Sequence, residues 1–139
     1  MRGLAHDQWV GRRLLNHVEL ETWARTQGFN DLVPEAWHVT LCRAGPQLPD
    51  LNTKPLILRS GFRRMSRMGG LIVLELSSPT LTRRHRELSN MRAGRYRPHV
   101  SITPDDGRNL TDIKPYTGVI RLDGEVAECP ESLWLHPEQ

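Results

Sequence analysis

Apolar and polar positions alternate strictly in two short stretches of the chain that share one pattern. The stretch HVTL at residues 38–41 and the stretch HVSI at residues 99–102 each interleave a histidine and a hydroxyl residue with two apolar residues. Successive side chains of a strand point to opposite faces, so the histidine and the hydroxyl share one face while the apolar residues share the other. We therefore predict two strands that each bury an apolar face and present an imidazole beside a hydroxyl.

The rest of the pattern predicts a mixture of strands and helices. Alternation in twos indicates strands, apolar spacings of three and four indicate helices, and clusters of Pro, Gly and Asn indicate loops. In the predicted strand 56–65, we expect Phe62 on the core face and Arg63 on the solvent face. The predicted strands are 8–15, 37–43, 56–65, 71–77, the segment from residue 99, 117–122 and a last short one within 125–135; the predicted helices are about 17–27 and 79–91; residues 1–7 are predicted to be loose and 44–55 to form a loop.

Each histidine motif follows a helix whose start is recognisable. Asn16, within an N-x-x-E sequence, predicts a capping box for the first helix, and Ser78 before Pro79 predicts a capped start for the second. The two caps precede their histidines by 22 and 21 positions. Because a strand, a helix and a histidine strand occur twice in this order, we predict two units related by a pseudo-twofold, with the histidine strands side by side around a cleft.

Length and composition indicate a single domain, 1–139, with an anionic partner. The chain is long enough for a real core, and 17 of its 19 basic residues are arginines, whose forked donors suit phosphate. No apolar run approaches the roughly 18 residues of a membrane span, and the start of the chain has no signal-peptide core, so we expect a cytoplasmic protein without a membrane partner. Cys42 and Cys129 form no disulfide framework and are expected to be reduced thiols.

A pair of histidines beside a pair of hydroxyls suits phosphodiester chemistry. Imidazole exchanges protons near neutral pH, so His38 and His99 can act as general base and general acid, in either assignment. Thr40 and Ser101 can donate hydrogen bonds to the non-bridging oxygens of a phosphate. No His, Cys, Asp or Glu cluster has metal-ligand spacing, so we predict neither a metal nor another cofactor. The competing interpretation is two edge-strand histidines beside strand-favouring residues.

Other residues are weaker candidates, each with a structural alternative. Tryptophans can stack on a base, although a buried tryptophan is the commoner outcome. Residues just before the second histidine can touch base or phosphate, and the glutamates of the closing segment are more often solvated. His85 is expected to be a satisfied interior histidine, and Arg84 to lie on a solvated helix face. The candidate substrate-binding residues are Trp9, Trp37, Tyr96, Arg97, Glu125 and Glu128.

The paired H-V-[T/S] motifs, their order and their strand settings resemble the 2H phosphoesterase superfamily. Within it, the chain is most similar to the phage anti-CBASS phosphodiesterases, which degrade the cyclic oligonucleotide alarm signals of bacterial immunity. The resemblance covers about residues 8–128 and includes WVGRRLLN-x-x-E, VPEAWHVTLCRAG, SSPTLTRRHREL, YRPHVSI and PYTGVIRLDGE. Trp37 departs from the usual aliphatic residue, Ser101 from the commoner threonine, and the Asp-Gly before Glu125 from Gly-Pro. These departures leave the substrate preference open.

The resemblance implies a fold class and an activity. The fold is expected to be α+β and bilobal, with two antiparallel sheets and outer helices around a central cleft. The implied activity is metal-independent cleavage of 3′-5′ bonds in cyclic di- or trinucleotides, in the host cytoplasm if the chain is phage-encoded. One alternative is an RNA-directed 2H enzyme that acts on 2′,3′-cyclic phosphates or 2′-5′ bonds. The other is a binding module that holds nucleotides without turnover. A stable duplex nucleic acid is not an expected partner.

Overall fold

The structure, a computed structural model, describes residues 8–32, 37–44, 50–89 and 96–128. Over these ranges the fold is α+β, with an antiparallel sheet of seven strands and two α-helices. Neither helix of the described ranges is long and apolar enough to cross a membrane. The elements are β1 (Gln8–Leu14), α1 (His17–Thr26), β2 (His38–Ala44), β3 (Leu56–Leu58), β4 (Arg63–Met68), β5 (Leu71–Leu76), α2 (Pro79–Ser89), β6 (His99–Pro104), a 3-10 turn (Leu110–Asp112) and β7 (Ile120–Glu128).

The two histidine strands lie next to each other at the centre of the sheet. The strand order is β3-β7-β1-β2-β6-β5-β4, so β1 and β2 of the first unit and β5 and β6 of the second are arranged symmetrically about the β2–β6 junction. The register at this junction pairs Val39 with Val100. The prediction that the histidine strands are neighbours is confirmed. The expectation of two separate sheets is not confirmed, because this pair joins both halves into one sheet.

The sheet must curl strongly, because consecutive strands form its two opposite edges. Strands β3 and β4 are the first and last in the order, yet only residues 59–62 separate Leu58 from Arg63. Five extended residues span at most roughly 17 Å, whereas a flat sheet of seven strands is about 29 Å wide. The two edges are therefore drawn towards each other.

The core lies against the apolar face of the central strands. Val39, Leu41, Val100 and Ile102 are all 0% exposed, as the alternation of the two motifs predicted. Every residue of β5 is buried, including its one carboxylate, Glu75. The histidines and hydroxyls of the two motifs thus lie on the sheet face opposite a closely packed interior.

The predicted strand 56–65 is wrong, because the chain is interrupted within it. Gly61 has a φ of +125°, which breaks the alternation between β3 and β4. Phe62 is consequently 63% exposed and Arg63 only 8% exposed, the reverse of the prediction. Arg63 Nη1 donates 3.0 Å hydrogen bonds to the carbonyls of Tyr116 and Gly118, so this buried arginine ties β4 to the segment that leads into β7.

The helix starts follow the sequence in one case and depart from it in the other. Ser78 caps α2 as predicted, since its hydroxyl accepts a hydrogen bond from the Leu81 N–H at 3.2 Å. Asn16 makes no side-chain cap to α1. Its Oδ1 instead accepts from the Arg121 N–H at 2.9 Å, which uses the side chain to hold the start of β7. The two strands predicted after residue 116 form one strand, β7, and the predicted extension of the second helix to residue 91 lies outside the described residues.

Candidate functional site

The four motif residues lie on one face of the two central strands. His38, Thr40, His99 and Ser101 are each half-buried, and each alternates with fully buried neighbours. Because Val39 is opposite Val100, the antiparallel register continued by one residue in each direction sets His38 opposite Ser101 and Thr40 opposite His99. Each histidine therefore faces the hydroxyl of the other motif across the junction.

The same backbone irregularity follows each motif. Val10 pairs with Cys42 and Gly11 with Thr40, so Leu41 is the extra residue of a β-bulge. On the other side of the junction, β5 pairs with residues 103 and 101 of β6, so Ile102 is the extra residue there. In both motifs the bulged residue directly follows the hydroxyl residue. Bulges bend a strand and redirect its side chains, and they are frequent beside functional sites. The duplication visible in the sequence thus extends to the backbone.

A pocket of about 400 Å³ opens beside the junction. His99 and Thr40 are part of its wall, whereas His38 and Ser101 are not among its lining residues. Burial raises the pKa of the Cys42 thiol, which keeps that side chain uncharged at neutral pH. The described residues that line the pocket are Trp9, Thr40, Leu41, Cys42, Met68, His85, Tyr96, Arg97 and His99.

A hydrogen bond to the main chain holds one ring nitrogen of His99. Its Nδ1 lies 2.9 Å from the carbonyl oxygen of Arg97. Because a carbonyl only accepts, Nδ1 carries a hydrogen there. The backbone before β6 therefore fixes both the tautomer and the orientation of this imidazole.

A buried carboxylate holds arginines at the edge of the site. Glu75 is the direct cross-strand neighbour of His99, and its carboxylate accepts hydrogen bonds from Arg97 at 2.6 and 3.1 Å and from Arg64 at 2.9 Å. The Arg97 hydrogen bonds, with smaller contributions from Arg64, lower the pKa of Glu75 to about 2. Arg97 remains 48% exposed and lines the pocket, so it can present positive charge to an anionic ligand.

A stacked pair of aromatic rings forms another part of the pocket wall. The rings of His85 and Tyr96 are parallel to within 3°, with centroids 4.1 Å apart. His85 Nδ1 lies 2.6 Å from the carbonyl of Leu41, and Tyr96 Oη donates to the carbonyl of Thr40 at 2.8 Å. Burial raises the pKa of Tyr96, so its hydroxyl stays a donor. The prediction of a hydrogen-bonded His85 is confirmed, but its position in the pocket was not predicted.

Three of the six candidate substrate-binding residues line the pocket, and Trp37 does not. Trp9, Tyr96 and Arg97 line the pocket, as their candidacy requires. Trp37 is only 6% exposed and belongs to the hydrophobic core, where its Nε1 donates to Glu21 at 3.2 Å. It is therefore a core residue rather than a stacking surface. The backbone of Glu128 pairs with Trp9, and nothing is described of the Glu128 side chain.

Glu125 is buried and paired with arginine, so the expectation that it is solvated is wrong. Its side chain is 0% exposed and accepts two hydrogen bonds from Arg84, at 2.8 and 2.9 Å. Arg12 lies 3.8 Å away, and Glu125 also accepts from the Asn52 N–H at 2.9 Å. Glu125 is opposite Arg12 in the pairing of β7 with β1, and it contacts the segment that contains Asn52. It is therefore neither solvated nor among the residues that line the pocket. Arg84, predicted on a solvated face, ties α2 to β7 instead.

The role of Glu75 and the position of His85 were not predicted from the sequence. A sequence signal existed for Glu75 but not for His85. Glu75 is the one charged residue in the apolar run LIVLEL, and a charge in a buried strand requires a partner, so this signal was present. His85 is held at the pocket by the carbonyl of Leu41, a bulged residue of another element. No local sequence pattern predicts this contact. Within the described ranges, no group of three or more His, Cys, Asp or Glu side chains is arranged to hold a metal ion.

Comparison with known proteins finds a family model and curated relatives that match this chain. A family model described as "Anti-CBASS protein Acb1" matches residues 7–136. A curated protein of that name from Caulobacter sp. (strain RHG1) is 29% identical over 143 residues, covering 91% of this chain. Another, from Sphingomonas paeninsulae, is 29% identical over 137 residues, covering 85% of this chain. The chain spans 23% and 22% of the length of these relatives.

Proposed function

This chain belongs to the anti-CBASS protein Acb1 family, and from that premise we propose that it is a phosphodiesterase that opens cyclic oligonucleotides at 3′-5′ linkages. CBASS immunity signals through cyclic oligonucleotides, so a protein that counters it by chemistry needs a site for a phosphodiester with two nucleosides. The proposed place of action is the cytoplasm in which such signals accumulate. Membership of the 2H phosphoesterase superfamily is part of the proposal.

One observation carries the proposal: two histidine–hydroxyl motifs are on adjacent central strands, whose register pairs Val39 of one motif with Val100 of the other. A phosphodiester cleavage needs one group that accepts a proton and one that donates a proton on opposite sides of phosphorus. Two imidazoles on neighbouring strands can supply these two groups. Their hydroxyl partners supply hydrogen bonds where negative charge grows in the transition state.

The proposed reaction uses the substrate's own ribose as the nucleophile. One of His38 and His99 takes the proton of the 2′-hydroxyl, whose oxygen attacks the adjacent phosphorus. The bond from phosphorus to the 5′-oxygen breaks, and the other histidine gives that oxygen a proton. The product is a linear oligonucleotide with a 2′,3′-cyclic phosphate and a free 5′-hydroxyl. Thr40 and Ser101 donate to the non-bridging oxygens, and attack from within the substrate benefits from proximity.

The positive charge at the pocket supports an anionic substrate. Arg97 lines the pocket with half of its side chain exposed, while Glu75 fixes the guanidinium by two hydrogen bonds. We propose that Arg97 contacts a phosphate and that Trp9, which also lines the pocket, contacts a base. A volume of about 400 Å³ is close to the lower end of small-ligand sites, so it suits one nucleotide unit of a compact ring rather than a long duplex.

The test is chromatography of products after incubation with excess EDTA. The panel contains 3′3′-linked cyclic dinucleotides, cyclic trinucleotides, linear 2′-5′ oligonucleotides and a linear RNA that ends in a 2′,3′-cyclic phosphate. Linear products from the 3′-5′-linked rings support the proposal. Reaction of the linear RNA alone favours the RNA-directed alternative, and binding without any product favours the module that only holds nucleotides.

A further inference from the structure

His85 is held from two directions at the pocket wall. The Leu41 carbonyl lies 2.6 Å from its Nδ1, and the Tyr96 ring covers one of its faces at 4.1 Å. Tyr96 is itself fixed by its hydrogen bond to the Thr40 carbonyl. Both anchors are main-chain carbonyls of β2, at the residue that bulges and at the residue before it. The imidazole therefore has a defined orientation before any ligand arrives, as selective recognition requires.

The hydrogen bond to Leu41 determines what His85 can offer to a ligand. A carbonyl accepts only, so Nδ1 of His85 is the donor, and Nε2 of the neutral ring is an acceptor. Among the described residues, the structure shows no hydrogen bond to this Nε2. The ring lines the same pocket as Thr40 and His99, which the proposed function assigns to the phosphate. The pocket of about 400 Å³ that these residues share leaves room for a base attached to that phosphate's ribose.

We propose that His85 reads a nucleobase of the substrate, with Nε2 accepting a hydrogen bond from an exocyclic amine. The proposal rests on the proposed phosphodiesterase function and adds a specificity-determining residue to it. Adenine and guanine carry such an amine, whereas hypoxanthine carries none. A site built to hydrogen-bond a substrate N–H rejects the analogue that lacks it, because the buried acceptor is left without a partner.

Two substitutions separate the anchoring nitrogen of His85 from the reading nitrogen. His85→Asn keeps an amide donor near the position of Nδ1 for the Leu41 carbonyl and leaves the position of Nε2 empty. His85→Gln brings an amide group near the position of Nε2. Thr80→Ala, at an exposed position of α2, is the matched control. Thermal unfolding of all three variants checks that the helix remains in place.

The experiment measures kcat and KM for cyclic dinucleotides built on adenine, guanine and hypoxanthine. The unsubstituted protein should prefer at least one amine-bearing ring over the hypoxanthine ring by about 3- to 10-fold in kcat/KM, the effect of one hydrogen bond. His85→Asn should abolish that preference through KM, with kcat changed less than about twofold. His85→Gln should keep part of the preference, and Thr80→Ala all of it.

Failure of this inference is distinguishable from failure of the proposed function. If the unsubstituted protein cleaves the rings and His85→Asn keeps the same preference and KM, the base-reading role is wrong and the phosphodiesterase stands. An equal loss of kcat on all three rings also overturns it, since base reading acts on KM. If no ring is cleaved, the proposed function fails, and calorimetric Kd values for the same three rings still decide what His85 does.

Discussion

Glu75→Gln is expected to destabilise the fold in a pH-dependent way. Glu75 is the acidic centre of the ion-pair cluster beside the pocket, with its side chain 9% exposed between Arg97 and Arg64. Glutamine keeps the shape of the side chain but removes its charge. Both guanidiniums then lose their anionic partner, and the charge-assisted hydrogen bonds at 2.6 to 3.1 Å become ordinary ones.

The expected loss in the free energy of unfolding follows from the pKa of the Glu75 carboxyl group. A pKa of about 2 in place of the ordinary 4.5 sets a ceiling of roughly 3 kcal/mol, since each pH unit corresponds to about 1.36 kcal/mol. Arg97 and Arg64 are 48% and 54% exposed, so solvent screens much of their attraction. We therefore expect a loss of about 1–2 kcal/mol near neutral pH, or roughly 3–6 °C in Tm for a domain of this size.

The sign of the pH dependence follows from the lowered pKa of Glu75. A carboxyl group whose pKa is lower in the folded state stabilises the fold fully above its unfolded pKa, and this contribution is lost as the pH falls. Its loss therefore occurs between pH 4.5 and about pH 2. Urea unfolding of both proteins from about pH 7 to pH 3 should show the difference in stability shrinking.

Glu87→Gln is a matched control, because it removes the carboxylate of an exposed ion pair instead of a buried one. Glu87 forms an ion pair with Arg84 at 3.1 Å, but its side chain is 54% exposed. Glu87→Gln should change the free energy of unfolding by less than about 0.5 kcal/mol throughout the pH range. If Glu75→Gln costs the same at pH 7 and at pH 3, the ion-pair explanation is wrong, and the loss comes from packing instead.

Further outcomes are expected at the motif histidines and at the second buried carboxylate. His38→Ala and His99→Ala should each lower turnover by about 10²–10⁴-fold while ligand affinity largely survives, because each removes one proton-transfer group; near-normal turnover in either variant would exclude that histidine from the reaction. Turnover should persist in excess EDTA and pass through a maximum with pH, since one imidazole must be neutral and the other charged; restoration by a divalent ion after loss in EDTA would contradict the two-histidine reaction. Glu125→Ala should cost about 3–5 kcal/mol in urea unfolding, because it leaves Arg12 and Arg84 without their anion; a cost below about 1 kcal/mol would show that water replaces it.

Features set by the chain's local pattern could be predicted from the sequence. The alternation of His38 with Val39 and of His99 with Val100 determines which side chains are buried, and both faces are as expected. The start of α2 at Ser78 depends on a hydroxyl and a backbone amide three residues apart, and it is also as expected. The adjacency of the two histidine strands followed from the repeated order of elements.

Features set by distant partners could not be predicted in this way. Arg63 is buried because carbonyls more than fifty positions later accept its hydrogen bonds, and Glu125 is buried because Arg84, on another element, reaches it. The two bulges arise from register against neighbouring strands, so an alternating sequence gives no sign of them. The position of His85 depends on such a contact too, since its partner is the carbonyl of Leu41, 44 positions earlier.

The position of β7 between β3 and β1 has a consequence for how the chain acquires its fold. The second half of the sheet is local: β4 and β5 form a hairpin at Gly69 and Gly70, and β6 follows after one helix. The first half needs β7, whose Leu122 pairs with both Leu14 and Leu56. Contacts between such distant positions form slowly, because closing long loops costs entropy before any contact compensates for it. As the chain leaves the ribosome, the half with His99 can assemble first. The pairing of β1 and β3 with their shared neighbour is possible only after β7 has been synthesised.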